Sequence, residues 1–286
     1  MDNNAKKNKA VLLVNIAVLL FGLVGLFAKR INLSALEMTF WRVLFSSTAL
    51  GLFMLVSKKS FRVHGRRDAA IIAAAGVVLA LHWWSFLGAI QISTVAIATI
   101  TFSSFPLFVT FLEALVFHEK LRLRNIIIAI IILIGVAITI PELSLENNSS
   151  LGILVGMTST FLYAVMAIMN KILSARYGSV MTAFYEQVVA TLVLFPLIIN
   201  GFVVPTGTDF VFLILLGVVT TAIAHTLFIS SLKDIPARLA GVLSSMETVY
   251  GILMAMIFLV EMPSVREWIV AAIIIGTVVF AQLREK

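Results

Sequence analysis

Ionisable side chains recur inside long apolar runs of this chain, where each must be neutralised, paired or wetted. Arg42 lies in MTFWRVLF, His82 in LALHWWSFLGAI, Glu113 in FVTFLEALVF, Glu186 in AFYEQVV, His225 in TAIAHTLF and Glu247 in SSMETVYGIL. A charge in such surroundings is costly, so groups of this kind mark the path of a solute or ion. A neutral imidazole is tolerated there and can take up a proton near neutral pH. Aromatic faces accept apolar groups or cations, while imidazoles and hydroxyls can hold a carboxylate or an amine. Together these residue types suit a cavity for a small amphipathic solute.

Helical spacing groups them. Residues three, four and seven apart share a helix face, which puts Ser103, Pro106, Thr110 and Glu113 on one stripe and Glu247, Tyr250 and Met254 on another. His82 shares its face with Ser85 and Phe86, while Trp83 stands about 100° round and Trp84 about 200° round. Trp84 is therefore expected against lipid or a neighbouring helix. The candidate substrate-binding set is His82, Trp83, Phe86, Ser103, Glu113, Tyr163, His225, Ser244, Glu247 and Tyr250. Simple packing is the alternative for several of them. Ser103, Ser104, Ser244 and Ser245 can bond backbone or let helices approach closely, and Trp83 can be an ordinary buried aromatic. Glu119 and Glu261 end their apolar runs and are expected to anchor them at the interface. Arg42 and Glu186 occupy matching places in two similar segments and are expected in a structural ion pair, mutual or separate.

Catalytic and metal-binding motifs do not form. His118-Glu119-Lys120-Leu121-Arg122 begins like a zinc-protease helix but has Arg122 where the second histidine must stand. Asp2, Asp68, Asp209 and Asp234 make no Asp-rich diphosphate motif, and cysteine is absent. No cofactor and no metal are expected.

The elements that must position these groups are membrane helices. The 286 residues are 61% hydrophobic and 12% charged, against roughly 45–50% and 25% for a soluble domain. A span takes about 20 apolar residues, and runs of that length fall at roughly 10–28, 35–57, 69–90, 95–117, 123–140, 151–172, 179–199, 209–231, 237–259 and 265–283. They are too long for barrel strands and lack alternation. The first run is longer than a secretory core and has no small-x-small cleavage site, so it reads as a retained span. Pro141, Pro205 and Pro263 fall in or beside the links. The expected fold class is an all-α polytopic membrane protein of ten transmembrane helices.

The net charge of +7 does not point to nucleic acid, because the basic residues sit in short links between apolar runs. One side of the expected topology holds 17 of the lysines and arginines, from Lys6 to Lys286, and the other holds Lys29, Arg30 and Arg266. The positive-inside rule makes the first side cytoplasmic, with both termini. The expected partners are a small-molecule substrate and the bilayer of the cell membrane. Homo-oligomerisation is left open.

The second half repeats the first. Leu20-Phe21-Gly22 through Lys29 matches Leu162-Tyr163-Ala164 through Lys171, and Phe40-Trp41-Arg42 matches Phe184-Tyr185-Glu186. His82 matches His225, Ala96 matches Leu239, and Phe108 through Glu119 matches Tyr250 through Glu261, all at offsets of 142 to 144. Five spans per half is an odd number, so the copies are expected to be inverted in the membrane. The expected division is 1–141 for the first five-helix repeat, 142–150 for an external linker and 151–286 for the second. This order of motifs, with Ser-Ser-Phe-Pro in the fourth span and Glu119 closing it, resembles the EamA branch of the drug/metabolite transporter superfamily. The resemblance implies a secondary transporter of small amphipathic metabolites, an exporter of amino acids or related compounds. It further implies alternating access around a midplane cavity lined mainly by spans 1, 3, 4, 6, 8 and 9. A multidrug or organic-cation exporter and a polytopic membrane enzyme are the rival readings. One departure stands out: Thr248 replaces the proline usual in the second copy, which puts a break in the ninth helix in question.

Overall fold

The computed structural model describes residues 3–121, 123–138 and 148–284. These residues form helices and connecting turns, and no strand. The expected linker is outside the described residues except for 148–150, which open a helix. In chain order the helices are α1 (Asn3–Phe21), α2 (Val24–Arg30), α3 (Ala35–Val56), α4 (Arg66–Ile92), α5 (Val95–Phe102), α6 (Phe105–Phe117) and α7 (Leu123–Ile138). They continue with α8 (Asn148–Ser174), α9 (Ser179–Ile198), α10 (Gly207–Gly217), a π turn (Val218–Ile223), α11 (Ala224–Ser231), α12 (Ala237–Ser244), α13 (Met246–Leu259) and α14 (Val265–Arg284). Among the described residues, eight segments are long and apolar enough to cross a membrane. They are α3, α4, α8 and α9, together with the joined pairs α1–α2, α5–α6, α10–α11 and α12–α13. The apolar helices α7 and α14 lie outside that count.

Local chemistry fixes the ends. Ser34 caps α3 in a reciprocal arrangement, its hydroxyl accepting from Glu37 N while the Glu37 carboxylate accepts from Ser34 N at 2.9 Å. Thr94 caps α5 through Ile97 N. Helices α6 and α13 each stop at a left-handed residue, His118 (φ 54°) and Val260 (φ 59°), at an offset of 142. Lys29 donates to Ser93 O at 3.0 Å, and Lys171, 142 residues later, donates to Ile235 O at 3.2 Å. Each lysine thereby satisfies a carbonyl in the link just before a broken helix begins, the kind of orphan acceptor that chain turns leave open.

Three of the long segments are interrupted. The α1–α2 break falls at Gly22-Leu23, where a Cβ on Gly22 would stand 2.6 Å from Tyr250 Cβ. The α5–α6 break falls at Ser103-Ser104, just before Pro106. The break in question in the ninth span is present, at Ser245, without any proline. Side-chain hydroxyls supply what proline does not force. Thr248 Oγ1 donates to Thr99 O at 2.6 Å and lies 2.5 Å from Ser103 Oγ, while Ser245 Oγ reaches Ser103 O at 3.4 Å. The two interrupted segments cross at this point, each serving backbone or hydroxyl groups of the other.

Small residues let helices close in. A Cβ on Gly76 of α4 would meet Glu186 O at 2.7 Å, and one on Gly217 would meet Arg42 O at 2.8 Å. Outward faces are as apolar as the interior, with Leu115, Leu192 and Val260 all more than two-thirds exposed. Water does not favour such a surface, and lipid does.

Candidate functional site

At mid-length of the bundle, nine buried side chains from six of the long segments line one cavity. They are Phe21 and Val24 beside the α1–α2 break, Arg42 of α3, His82, Trp83 and Phe86 of α4, Phe102 closing α5, Tyr163 of α8 and Glu247 of α13. The cavity measures about 20 Å³, enough for a water molecule and far short of the several hundred cubic ångströms a metabolite needs. The site is thus assembled but closed down.

Arg42 is the most constrained of the nine. Its Nε and Nη2 donate to Thr221 Oγ1 at 3.0 and 2.9 Å, and its guanidinium lies over the Trp83 ring at 4.1 Å. Thr221 is placed by the π turn, where its hydroxyl donates five residues back to Leu216 O. A π turn of this kind commonly marks a functional position, and here it aims an arginine. Nη1 of Arg42 has no hydrogen-bond partner. The acidic group in the cavity is Glu247, which makes no direct ion pair with Arg42 among the described contacts.

The remaining lining is aromatic. His82 is held through Nδ1 by Ser159, at 2.8 Å from its hydroxyl and 2.9 Å from its carbonyl, and Ser159 Oγ donates to His82 O at 2.9 Å. Tyr163 packs on His82 with ring centroids 4.7 Å apart and on Phe102 at 5.1 Å. Its hydroxyl has no partner. A cation, a carboxylate and unfilled donors within an aromatic wall can hold a solute that carries both charges and an apolar body.

Of the ten candidate substrate-binding residues, the structure brings His82, Trp83, Phe86, Tyr163 and Glu247 together. The other five stand elsewhere. Ser103 belongs to the helix crossing, Ser244 donates to Ala240 O at 2.8 Å, and Tyr250 packs beside Gly22. His225 sits behind Trp83, edge to face at 5.6 Å. A mutual Arg42–Glu186 pair does not form: Glu186 bonds His225 Nε2 at 2.8 Å, and Arg42, which was expected to be structural, lines the cavity. Phe21, Val24 and Phe102 were not singled out by sequence. Phe21 was visible only as part of the repeated aromatic-small pair, and the aiming role of Thr221 had no signal, because a π turn leaves no simple periodicity.

Glu113 is remote from the cavity, at the end of the bundle that carries the basic links. Its side chain is 0% exposed, yet both oxygens are filled. Oε1 accepts from Ala237 N at 2.7 Å and from Lys171 Nζ at 3.1 Å. Oε2 accepts from Arg238 N and Arg238 Nη1, both at 3.1 Å. Arg238 also pairs with Glu119. One carboxylate thus fastens α6 to α8 and to the N-terminus of α12, where the helix dipole favours it. The residue 142 positions on is Ala255, which lines a cavity of about 590 Å³ at the other end, with Thr94, Ala96, Ile97 and Glu261.

Comparisons with known proteins agree with this architecture. The EamA-like transporter family model matches twice, over residues 8–140 and 150–282. An uncharacterized transporter of Bacillus subtilis, YxxF, is 23% identical over 261 residues, covering 90% of this chain and 84% of its own. The pseudopaline exporter CntI of Pseudomonas aeruginosa is 28% identical over 73% of this chain and 74% of its own. An S-adenosylmethionine uptake transporter of Rickettsia conorii is 23% identical over 89% and 85%. A solved crystal structure superposes at TM-score 0.76 with 20% identity, over 96% of this chain and 97% of that one, which supports the fold. With two matches that together span nearly all of its residues, this chain belongs to the EamA-like transporter family.

Proposed function

We propose that this protein exports small zwitterionic metabolites, amino acids or compounds related to them, by alternating access. The observation that carries this reading is the placement of Arg42 and Glu247 around one closed aromatic cavity. A substrate carboxylate would meet the free Nη1 of Arg42, and a substrate amine would meet Glu247. Trp83, Phe86, Phe102 and Tyr163 would cover the apolar part. Paired matching of both charges is what a zwitterion offers and a simple cation does not.

The architecture in this reading is ten spans, α7 and α14 included, arranged as two inverted five-helix repeats over 1–141 and 151–286. The 142-residue offsets of the two lysine contacts and of the two left-handed helix ends support the repeat. The 17-to-3 bias of basic residues supports a cytoplasmic-membrane orientation with both termini inside. Rocking of one repeat against the other enlarges the cavity and exposes it to each side in turn. Relatives named for export and for uptake both exist, so the direction rests on the match to the exporter.

The second reading, an organic-cation exporter, is favoured by Glu247 among aromatic rings and opposed by Arg42 in the same cavity. Purified protein in liposomes separates the two. Preloaded vesicles should exchange zwitterionic amino acids and leave tetraalkylammonium ions and nucleosides outside. Exchange of the cations alone would replace this reading with the second, and no exchange of any of the three classes would overturn both.

A further inference from the structure

Outside the cavity lies a second buried polar group that the transport site does not use. Glu186 of α9 and His225 of α11 are both 0% exposed and bond at 2.8 Å. The pair is unfinished. Glu186 Oε1 and His225 Nδ1 have no hydrogen-bond partner, and the same holds for both amide atoms of Asn170 and of Gln187. Asn170 of α8 approaches the Glu186 carboxyl without completing a bond of good geometry. A pair retained only for strength would have its spare lone pairs and N–H groups filled, because each buried polar group left open costs about 1–3 kcal/mol.

We propose that Glu186 and His225 form a proton-binding site whose occupancy changes during the transport cycle. With its proton bound, the pair is either carboxylate with imidazolium or carboxylic acid with imidazole, and both forms are neutral overall. Removing that proton leaves a carboxylate against a neutral ring. No lysine or arginine pairs with it among the described residues. The titratable groups that act on the pair directly are His82 of α4, on His225, and Tyr163 of α8, on Glu186, while Arg42 of α3 stands on the far side of Trp83 and Glu247 of α13 faces Arg42 and Tyr163 from the cavity. A metal ion does not fit, since the nitrogen and oxygen are already in hydrogen-bond contact, and no cluster of three metal-ligating side chains occurs among the described residues.

Trp83 connects this site to the cavity. It carries Arg42 at 4.1 Å over its ring and meets His225 edge-on at 5.6 Å. A solute that displaces Arg42 or Trp83 therefore acts on His225, and a proton that leaves the pair changes the charge behind Trp83. This link gives proton movement a route to the solute site. The place of this proton in a transport cycle rests on the function proposed above, while proton binding by itself does not.

Two measurements keep those apart. Purified protein in nanodiscs, stepped between mildly acidic and mildly alkaline pH, should show a protonated-carboxyl band in the infrared difference spectrum that Glu186→Gln removes. Proton uptake measured with an indicator dye should fall by one per chain in that variant. Should Glu186→Gln fail to fold, His225→Asn should instead shift the pH midpoint of the same band. In liposomes holding a pH dye, a gradient of the exchanged amino acid should acidify or alkalinise the lumen with the natural protein. Glu186→Gln should abolish that signal while amino-acid exchange continues within about threefold. An unchanged band and unchanged uptake in the folded variant would overturn the proton site. An altered band without amino-acid exchange by the natural protein would leave the site standing and overturn the transporter reading instead.

Discussion

Replacing Arg42 by Gln should raise the half-saturation concentration for a transported amino acid about a hundredfold. Replacement by Lys should raise it about tenfold. The guanidinium is held on two sides, by Thr221 and by the face of Trp83, and its remaining Nη1 points at no protein acceptor. A charge-assisted hydrogen bond contributes about 1.5–3 kcal/mol, which is roughly one to two factors of ten in affinity. Gln removes the charge and the fork together. Lys keeps the charge but has neither the planar stack on Trp83 nor the paired donors for Thr221 and a carboxylate. Binding of an amino acid and of its decarboxylated amine should be measured side by side by calorimetry. The amine should respond far less to either substitution. Equal losses for both would mean that Arg42 shapes the cavity without touching a carboxylate.

Replacing Glu113 by Gln should unfasten the end of the bundle that carries the basic links. Four donors converge on that carboxylate, two of them charged and two from the first turn of α12. Losing one partner of a buried pair costs about 3–5 kcal/mol. Lys171 and Arg238 keep 23% and 22% of their side chains in water, so the lower end of that range applies. The expected result is a population shift toward an opening on that side. A cysteine placed at Ser244, buried at the far end of α12, should react with a thiol reagent at least about tenfold faster in the Gln variant. The natural protein has no cysteine to confuse the readout. Equal labelling rates, with an equal melting temperature, would show that the cluster fastens nothing.

Much of this fold could be read from hydropathy. The eight long segments fall close to the apolar runs, because a membrane span has to be apolar along its whole length. The links, the repeat and half of the cavity were visible for the same reason: a polar group at depth stands out. What could not be read is which polar group faces which. Arg42 and Glu186 occupy matching places in the two copies, and that correspondence left open whether they pair with each other or separately. They pair separately, each with a partner between α10 and the end of α11, Thr221 for Arg42 and His225 for Glu186. Glu113 shared a stripe with Ser103, yet the break at Ser103-Ser104 turns the helix and ends the shared face. The ninth-span break was doubted because proline is the usual signal. Hydroxyls at Ser245 and Thr248 achieve it by bonding across to the fourth span, a tertiary cause that local spacing does not carry.

The carboxylate at position 113 and the methyl at position 255 bear on how such a carrier meets supply and demand. In the orientation and direction proposed above, the fastened end would face the pool that an exporter draws from. Cytosolic solute then finds only the fraction of molecules whose fastening is open, and its apparent affinity is weakened by that same fraction. An exporter fastened in this way would run slowly while its cargo is scarce and faster as the cargo accumulates. In that proposed direction it would act as an overflow valve, its half-saturation level raised by four hydrogen bonds far from the cargo itself.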